Sequence, residues 1–86
     1  MEEKHRPILV LYYKPSCPYC QKVLNFLEKN NKEISLKNVE EHPGAKDELL
    51  HLGGKTQIPC LFINGKPLYE SQAIIDWLNE NKEVID

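Results

Sequence analysis

Little in this chain of 86 residues is present in excess. Lys and Arg together number 11 against 13 Asp and Glu, a formal charge of −2, so there is no electrostatic case for nucleic acid or an anionic membrane surface. Long apolar runs are missing. The run Ile8–Tyr13 is cut short by Lys14-Pro15 and follows the charged segment Met1-Glu2-Glu3-Lys4-His5-Arg6. That pattern is neither a secretory signal nor a membrane span. No repeat, linker or low-complexity segment divides the chain, and its length suits one domain over residues 1–86 with a single core. Cysteine is scarce and odd in number, at three, which argues against a secreted disulfide scaffold and for a reduced, cytoplasmic protein.

Two of those cysteines are spaced for chemistry. Cys17-Pro18-Tyr19-Cys20 lies just past the apolar run and just before a stretch of helical spacing. A dithiol at a strand-to-helix junction is the arrangement that redox exchange needs. The helix N-terminus offers free N–H groups and positive partial charge, which favour a thiolate in the first turn. The thiolate is the attacking species, and a second cysteine one turn later can close a small disulfide ring and release what the first has captured.

The rest of the chain supplies the frame. Residues 8–13 read as a buried strand. Ser16 is placed to cap the following helix, and Pro18 suits its first turn. Cys20, Val23, Leu24 and Leu27 form its apolar stripe, Lys22, Asn25, Glu28 and Lys29 its solvent face, and Asn30-Asn31 its end. Ile34–Val39 alternates with period two and reads as a second strand. Pro43-Gly44 opens a short helix carrying Ala45, Leu49 and Leu52 inward, closed by Gly53-Gly54. Pro59–Ile63 reads as a third strand, Asn64-Gly65 as a two-residue hairpin turn, and Lys66–Tyr69 as a fourth strand. Ser71 is placed to cap a last helix with Ile74, Trp77 and Leu78 inward. The order β-α-β-α-β-β-α predicts an α/β fold with a mixed four-stranded sheet flanked by three helices, the first two strands parallel and the hairpin antiparallel.

Strand, CPYC, helix, then Ile58-Pro59 before a strand, an Asn-Gly hairpin and a helix resemble a dithiol glutaredoxin of the thioredoxin fold over roughly residues 8–80. The resemblance implies that Cys17 is the nucleophile and Cys20 the resolving thiol. It implies glutathione as cosubstrate, with Lys14 near the thiolate and the glycine carboxylate and Tyr19 lining the groove. Ile58 then pairs its main chain with the cysteinyl part, like an added strand, before a cis Pro59. Where many glutaredoxins carry Gly-Gly-x-Asp-Asp, this chain has Tyr69-Glu70-Ser71-Gln72-Ala73. Glu70-Ser71, with Gln57 in place of the usual threonine, resembles the N-terminal domain of glutathione transferases, where those residues hold the γ-glutamyl group.

On this reading the protein is a glutathione-dependent thiol–disulfide oxidoreductase acting on glutathionylated or disulfide-bonded proteins. It would be coupled indirectly to glutathione reductase, work as a monomer, and need no metal. The alternatives are an electron donor reduced by thioredoxin reductase, a carrier of a glutathione-ligated iron–sulfur cluster, and a non-catalytic glutathione-binding module.

Each residue also has a plainer reading. Cys17 and Cys20 could form a structural disulfide or half a zinc site, but His5, His42, His51 and Cys60 supply no second paired spacing. Cys60 reads first as a small buried residue opening a strand, with an accessory redox role as the alternative. Tyr13 and Trp77 read as core, and the three histidines as surface. Ser71 reads as a helix cap whose N–H can also seat a carboxylate. Glu70, an acid, would have to meet the ammonium end of the γ-glutamyl group.

Overall fold

The first strand, β1, is Leu9–Tyr13, and both of its faces are covered. Leu9 and Leu11 point to one side, Tyr12 to the other, which is why the segment is an unbroken apolar run rather than an alternating one. The computed structural model describes residues 7–85, so the charged segment before Pro7 and the reading of His5 as a surface residue lie outside the described residues. Beyond β1 follow α1 (Pro18–Lys29), β2 (Ser35–Asn38), α2 (Ala45–Gly53), β3 (Cys60–Ile63), β4 (Lys66–Tyr69) and α3 (Ser71–Glu80), with a 3-10 turn at Lys82–Val84.

The sheet order is β2-β1-β3-β4, with β1 and β2 parallel and the other two pairs antiparallel. This is the mixed sheet and element order that the sequence predicts. One layer of core holds Leu9, Leu11, Val23, Leu27, Leu61, Ile74 and Leu78, the inner stripes of α1 and α3 against the sheet. The other holds Tyr12, Val39, Ala45, Leu49, Cys60 and Phe62, the inner face of α2. Tyr13 and Trp77 are partly buried against the first layer.

Several local readings need correction. Ser16 does not cap α1: Cys17 does, its own sulfur accepting the main-chain N–H of Cys20. Ser71 does not cap α3 either. It is the first helical residue, and the capping position belongs to Glu70. Leu52 faces solvent at 57% exposure, because α2 offers only Ala45 and Leu49 to the core. Leu36 is 47% exposed on the edge strand β2, whose buried residue is Asn38, with Val39 buried just beyond the strand. The polar Asn38 is tolerated there because its side chain accepts the Glu40 N–H at 2.9 Å and its carbonyl accepts from Glu41 and His42.

Two further contacts fasten the frame. Asn64, at the hairpin turn, accepts the Ile8 N–H through its side chain at 2.8 Å, tying the turn to the start of β1. On the α2 side the Tyr12 hydroxyl donates to Glu48 at 2.9 Å, and Lys37 donates to the same carboxylate oxygen at 2.6 Å. Burial, together with that bond, pushes the Tyr12 phenol up; the Lys37 bond is the main reason the Glu48 carboxyl lies below its ordinary 4.5.

Candidate active site

Three loops meet at one end of the sheet because of strand register. Tyr12 pairs with Cys60, and Cys60 pairs with Tyr69, so the end of β1, the start of β3 and the end of β4 lie in one row. From that row project the β1–α1 loop with Lys14 and Cys17, leading into the first turn of α1 with Tyr19 and Cys20, the α2–β3 loop with Gln57, Ile58 and Pro59, and the β4–α3 junction with Glu70 and Ser71. The residues singled out from sequence therefore share one edge of the molecule.

Cys17 stands at the N-terminus of α1. Its backbone is extended (φ −86°, ψ 115°), it precedes Pro18 at the first helical position, and its Sγ lies 3.2 Å from the Cys20 nitrogen. Its N–H donates to the Lys14 carbonyl at 3.1 Å, and its carbonyl accepts from Gln21 at 3.0 Å. The Gln21 side chain reaches back to the Pro15 carbonyl at 2.9 Å, closing the turn beneath the dithiol. Cys17 is half-buried, whereas Cys20 is fully buried in α1. Burial first, and then the contact with the Cys17 sulfur, push the Cys20 thiol up to about 12; the nearby Lys14 offsets only part of this. One sulfur is open to attack a substrate, and its neighbour is held as a protonated thiol. Tyr19 is 59% exposed, with the Lys22 ammonium 5.3 Å from its ring centroid.

On the facing loop the Ile58-Pro59 peptide is cis, as the sequence resemblance implies. Ile58 is half-buried, and among the described residues its main chain makes no hydrogen bond to protein. The Gln57 amide donates to the Glu70 carboxylate at 3.3 Å, joining two predicted site residues across the groove. Glu70 holds φ +79°, ψ 119°, a conformation rare outside glycine, and Ser71 follows at the first turn of α3, where main-chain N–H groups lack helical partners.

Cys60 is buried on the α2 side of the sheet. Burial pushes its thiol up to about 11, with contacts to the Tyr69 hydroxyl and the Leu68 main chain offsetting part of the effect. His42 and His51 are exposed, and among the described residues no group of three or more His, Cys, Asp and Glu side chains could hold a metal ion. Sequence reasoning missed one contact at this end of the sheet: the Tyr69 hydroxyl donates to the Gly53 carbonyl at 3.1 Å.

The fold and the dithiol at its α1 N-terminus define a thioredoxin-fold protein with a paired-cysteine redox motif. The glutaredoxin family model matches residues 9–68, and the chain belongs to the glutaredoxin family. It is 37% identical over 68 residues to the "Probable glutaredoxin" of Acanthamoeba polyphaga mimivirus, a match covering 66% of this chain and 64% of that one. It is also 37% identical over 71 residues to glutathione S-transferase D7 of Anopheles gambiae, covering 80% of this chain and 33% of the transferase. The chain thus spans roughly two thirds and one third of the lengths of these two relatives, 64% and 33%. Among solved structures, a buckwheat glutaredoxin–glutathione complex has the same fold, with a TM-score of 0.68 and 20% identity over 88% of this chain and 72% of that one.

Proposed function

We propose that this protein is a glutathione-dependent thiol–disulfide oxidoreductase that reduces protein–glutathione mixed disulfides and protein disulfides, in a reducing compartment such as the cytoplasm. The observation that carries this reading is the asymmetry of the dithiol. Cys17 is accessible and takes the Cys20 N–H, while Cys20 is buried and held protonated. Membership of the glutaredoxin family, and the glutathione named in the buckwheat complex, support the choice of cosubstrate.

In the first step the Cys17 thiolate attacks the glutathione sulfur of a mixed disulfide. The Cys17–glutathione bond forms, the protein sulfur leaves with the electron pair, and it takes up a proton. A second glutathione thiolate then attacks the glutathione sulfur, so that glutathione disulfide departs and Cys17 is again a thiolate. With a protein disulfide, Cys17 forms a mixed disulfide with the protein. Cys20 gives up its proton, attacks the Cys17 sulfur and releases the second protein thiol; two glutathiones then reduce the Cys17–Cys20 bond. Ile58 would meet the cysteinyl main chain of glutathione as an added strand, Lys14 its glycine carboxylate, and Tyr19 would wall the groove. The Ser71 N–H would take the γ-glutamyl carboxylate and Glu70 its ammonium group.

The test is NADPH consumption through glutathione and glutathione reductase with a glutathionylated peptide. Turnover is expected to vanish in Cys17→Ser and to persist in Cys20→Ser. A wild type with no glutathione-dependent turnover would sink the proposal and turn attention to thioredoxin reductase as the electron source.

A further inference from the structure

The α2–β3 loop, residues 54–59, carries Gln57, Ile58 and Pro59, yet it has no secondary structure of its own. What holds it in place is largely one side chain. The Tyr69 hydroxyl donates to the carbonyl of Gly53, the last residue before the loop, at 3.1 Å. The Tyr69 ring lies 4.4 Å from the ammonium of Lys55, two residues into the loop. At the loop's far end Cys60 is the register partner of Tyr69 across β3 and β4. Both ends of the loop are thus gripped by Tyr69. The next residue along the chain, Glu70, takes the Gln57 amide from the same loop.

Gly53 shows how closely this contact is fitted. A Cβ built at that position would lie 2.3 Å from the Tyr69 hydroxyl oxygen, whereas its other neighbours, Phe62 and Pro67, would both sit at an ordinary 3.5 Å. Gly54 provides the left-handed end of α2, with φ +88° and its N–H on the Leu50 carbonyl. Gly53 is therefore free of that duty, and what it supplies is room for the hydroxyl.

We propose that Tyr69 is a positioning residue for glutathione. Its hydroxyl fixes the Gly53 end of the loop, and so sets the distance between the Ile58 main chain on one wall of the groove and Glu70-Ser71 on the other. The proposal rests on the glutathione-dependent reading above. Tyr69 touches neither sulfur of the dithiol, so it acts on binding rather than on the exchange step.

The experiment compares wild type, Tyr69→Phe, Gly53→Ala and the double variant in the glutathione reductase-coupled assay with a glutathionylated peptide. The rate of Cys17 alkylation by iodoacetamide is measured alongside. Loss of one neutral hydrogen bond predicts a rise of about three- to tenfold in KM for Tyr69→Phe, with kcat and the alkylation rate within twofold of wild type. Gly53→Ala is expected to raise KM as well, by pushing the hydroxyl away. Adding Gly53→Ala to Tyr69→Phe is expected to cost nothing further, since the colliding oxygen is gone. An unchanged KM in Tyr69→Phe would overturn the proposal, as would full additivity in the double variant. A parallel fall in kcat and in Cys17 alkylation would overturn it too, by showing a general disturbance of the fold. A wild type inactive with glutathione would instead overturn the underlying reading, an outcome visible before any variant is measured.

Discussion

The Sγ of Cys17 accepts the main-chain N–H of Cys20 at 3.2 Å, so the first thiol of the motif caps the helix that holds the second. Caps are usually oxygen-bearing side chains, and here the sulfur fills that place. On the proposed reading the two thiols divide the labour of the motif. Cys17 is half-buried and open to attack a substrate, and burial keeps the proton on Cys20.

Alkylation should follow that division. Burial pushes the Cys20 thiol up to about 12 and the Cys60 thiol up to about 11, so both stay protonated at neutral pH. Iodoacetamide at neutral pH is expected to give a single fast adduct, which peptide mass mapping would place on Cys17, and Cys17→Ser should lose it. Equal labelling of Cys60 would contradict both its burial and its exclusion from the exchange steps.

Acid sensitivity should be traceable to one carboxylate. Lys37 and Tyr12 both donate to Glu48, which holds its pKa below the ordinary 4.5. A depressed folded value means that the contribution is complete above the unfolded value and is lost as pH falls through the folded one. Glu48→Gln retains an acceptor for Tyr12 but not the charge. Its thermal midpoint is expected to lie below wild type at pH 7, with the gap narrowing as the pH falls below the ordinary carboxylate value of 4.5. A gap of the same size above and below that value would show that charge plays no part.

Much of this was legible in the sequence, for identifiable reasons. The apolar run, the helical stripe of α1, the Asn-Gly turn and the dithiol spacing are strong local signals, and the structure keeps them, except that the strand starts at Leu9 and leaves Ile8 exposed. The caps were misplaced because Ser16 and Ser71 are ordinary capping residues, whereas the actual capping positions belong to a thiol and to a positive-φ glutamate. Periodicity alone puts Leu52 inward, and it says nothing of which face of β2 is covered, where Leu36 lies exposed. Their exposure reflects an edge strand and a short helix with too little core to cover them. The Tyr69–Gly53 bond joins residues 16 apart, and only Gly53, the first glycine of the pair and unneeded for the cap, points to it in the sequence.

Glu70 should show stability and ligand binding pulling apart. Its φ of +79° puts a side chain where glycine would rest more easily, a cost on the order of 1–3 kcal/mol for a non-glycine residue. The same backbone presents its carboxylate to Gln57 and, on the proposed reading, to the γ-glutamyl ammonium. Glu70→Gly is therefore expected to raise the thermal midpoint, by about 4–8 °C for each kcal/mol relieved in a domain of this size. It should also raise KM for the glutathionylated peptide about tenfold or more, the range for a lost hydrogen bond to a charged group. Glu70→Ala removes the carboxylate without relieving the backbone, so it should match the KM change and gain no stability. If Glu70→Gly and Glu70→Ala melted together, the strain would not be real; if KM stayed at the wild-type value in both, the carboxylate would not face the ligand.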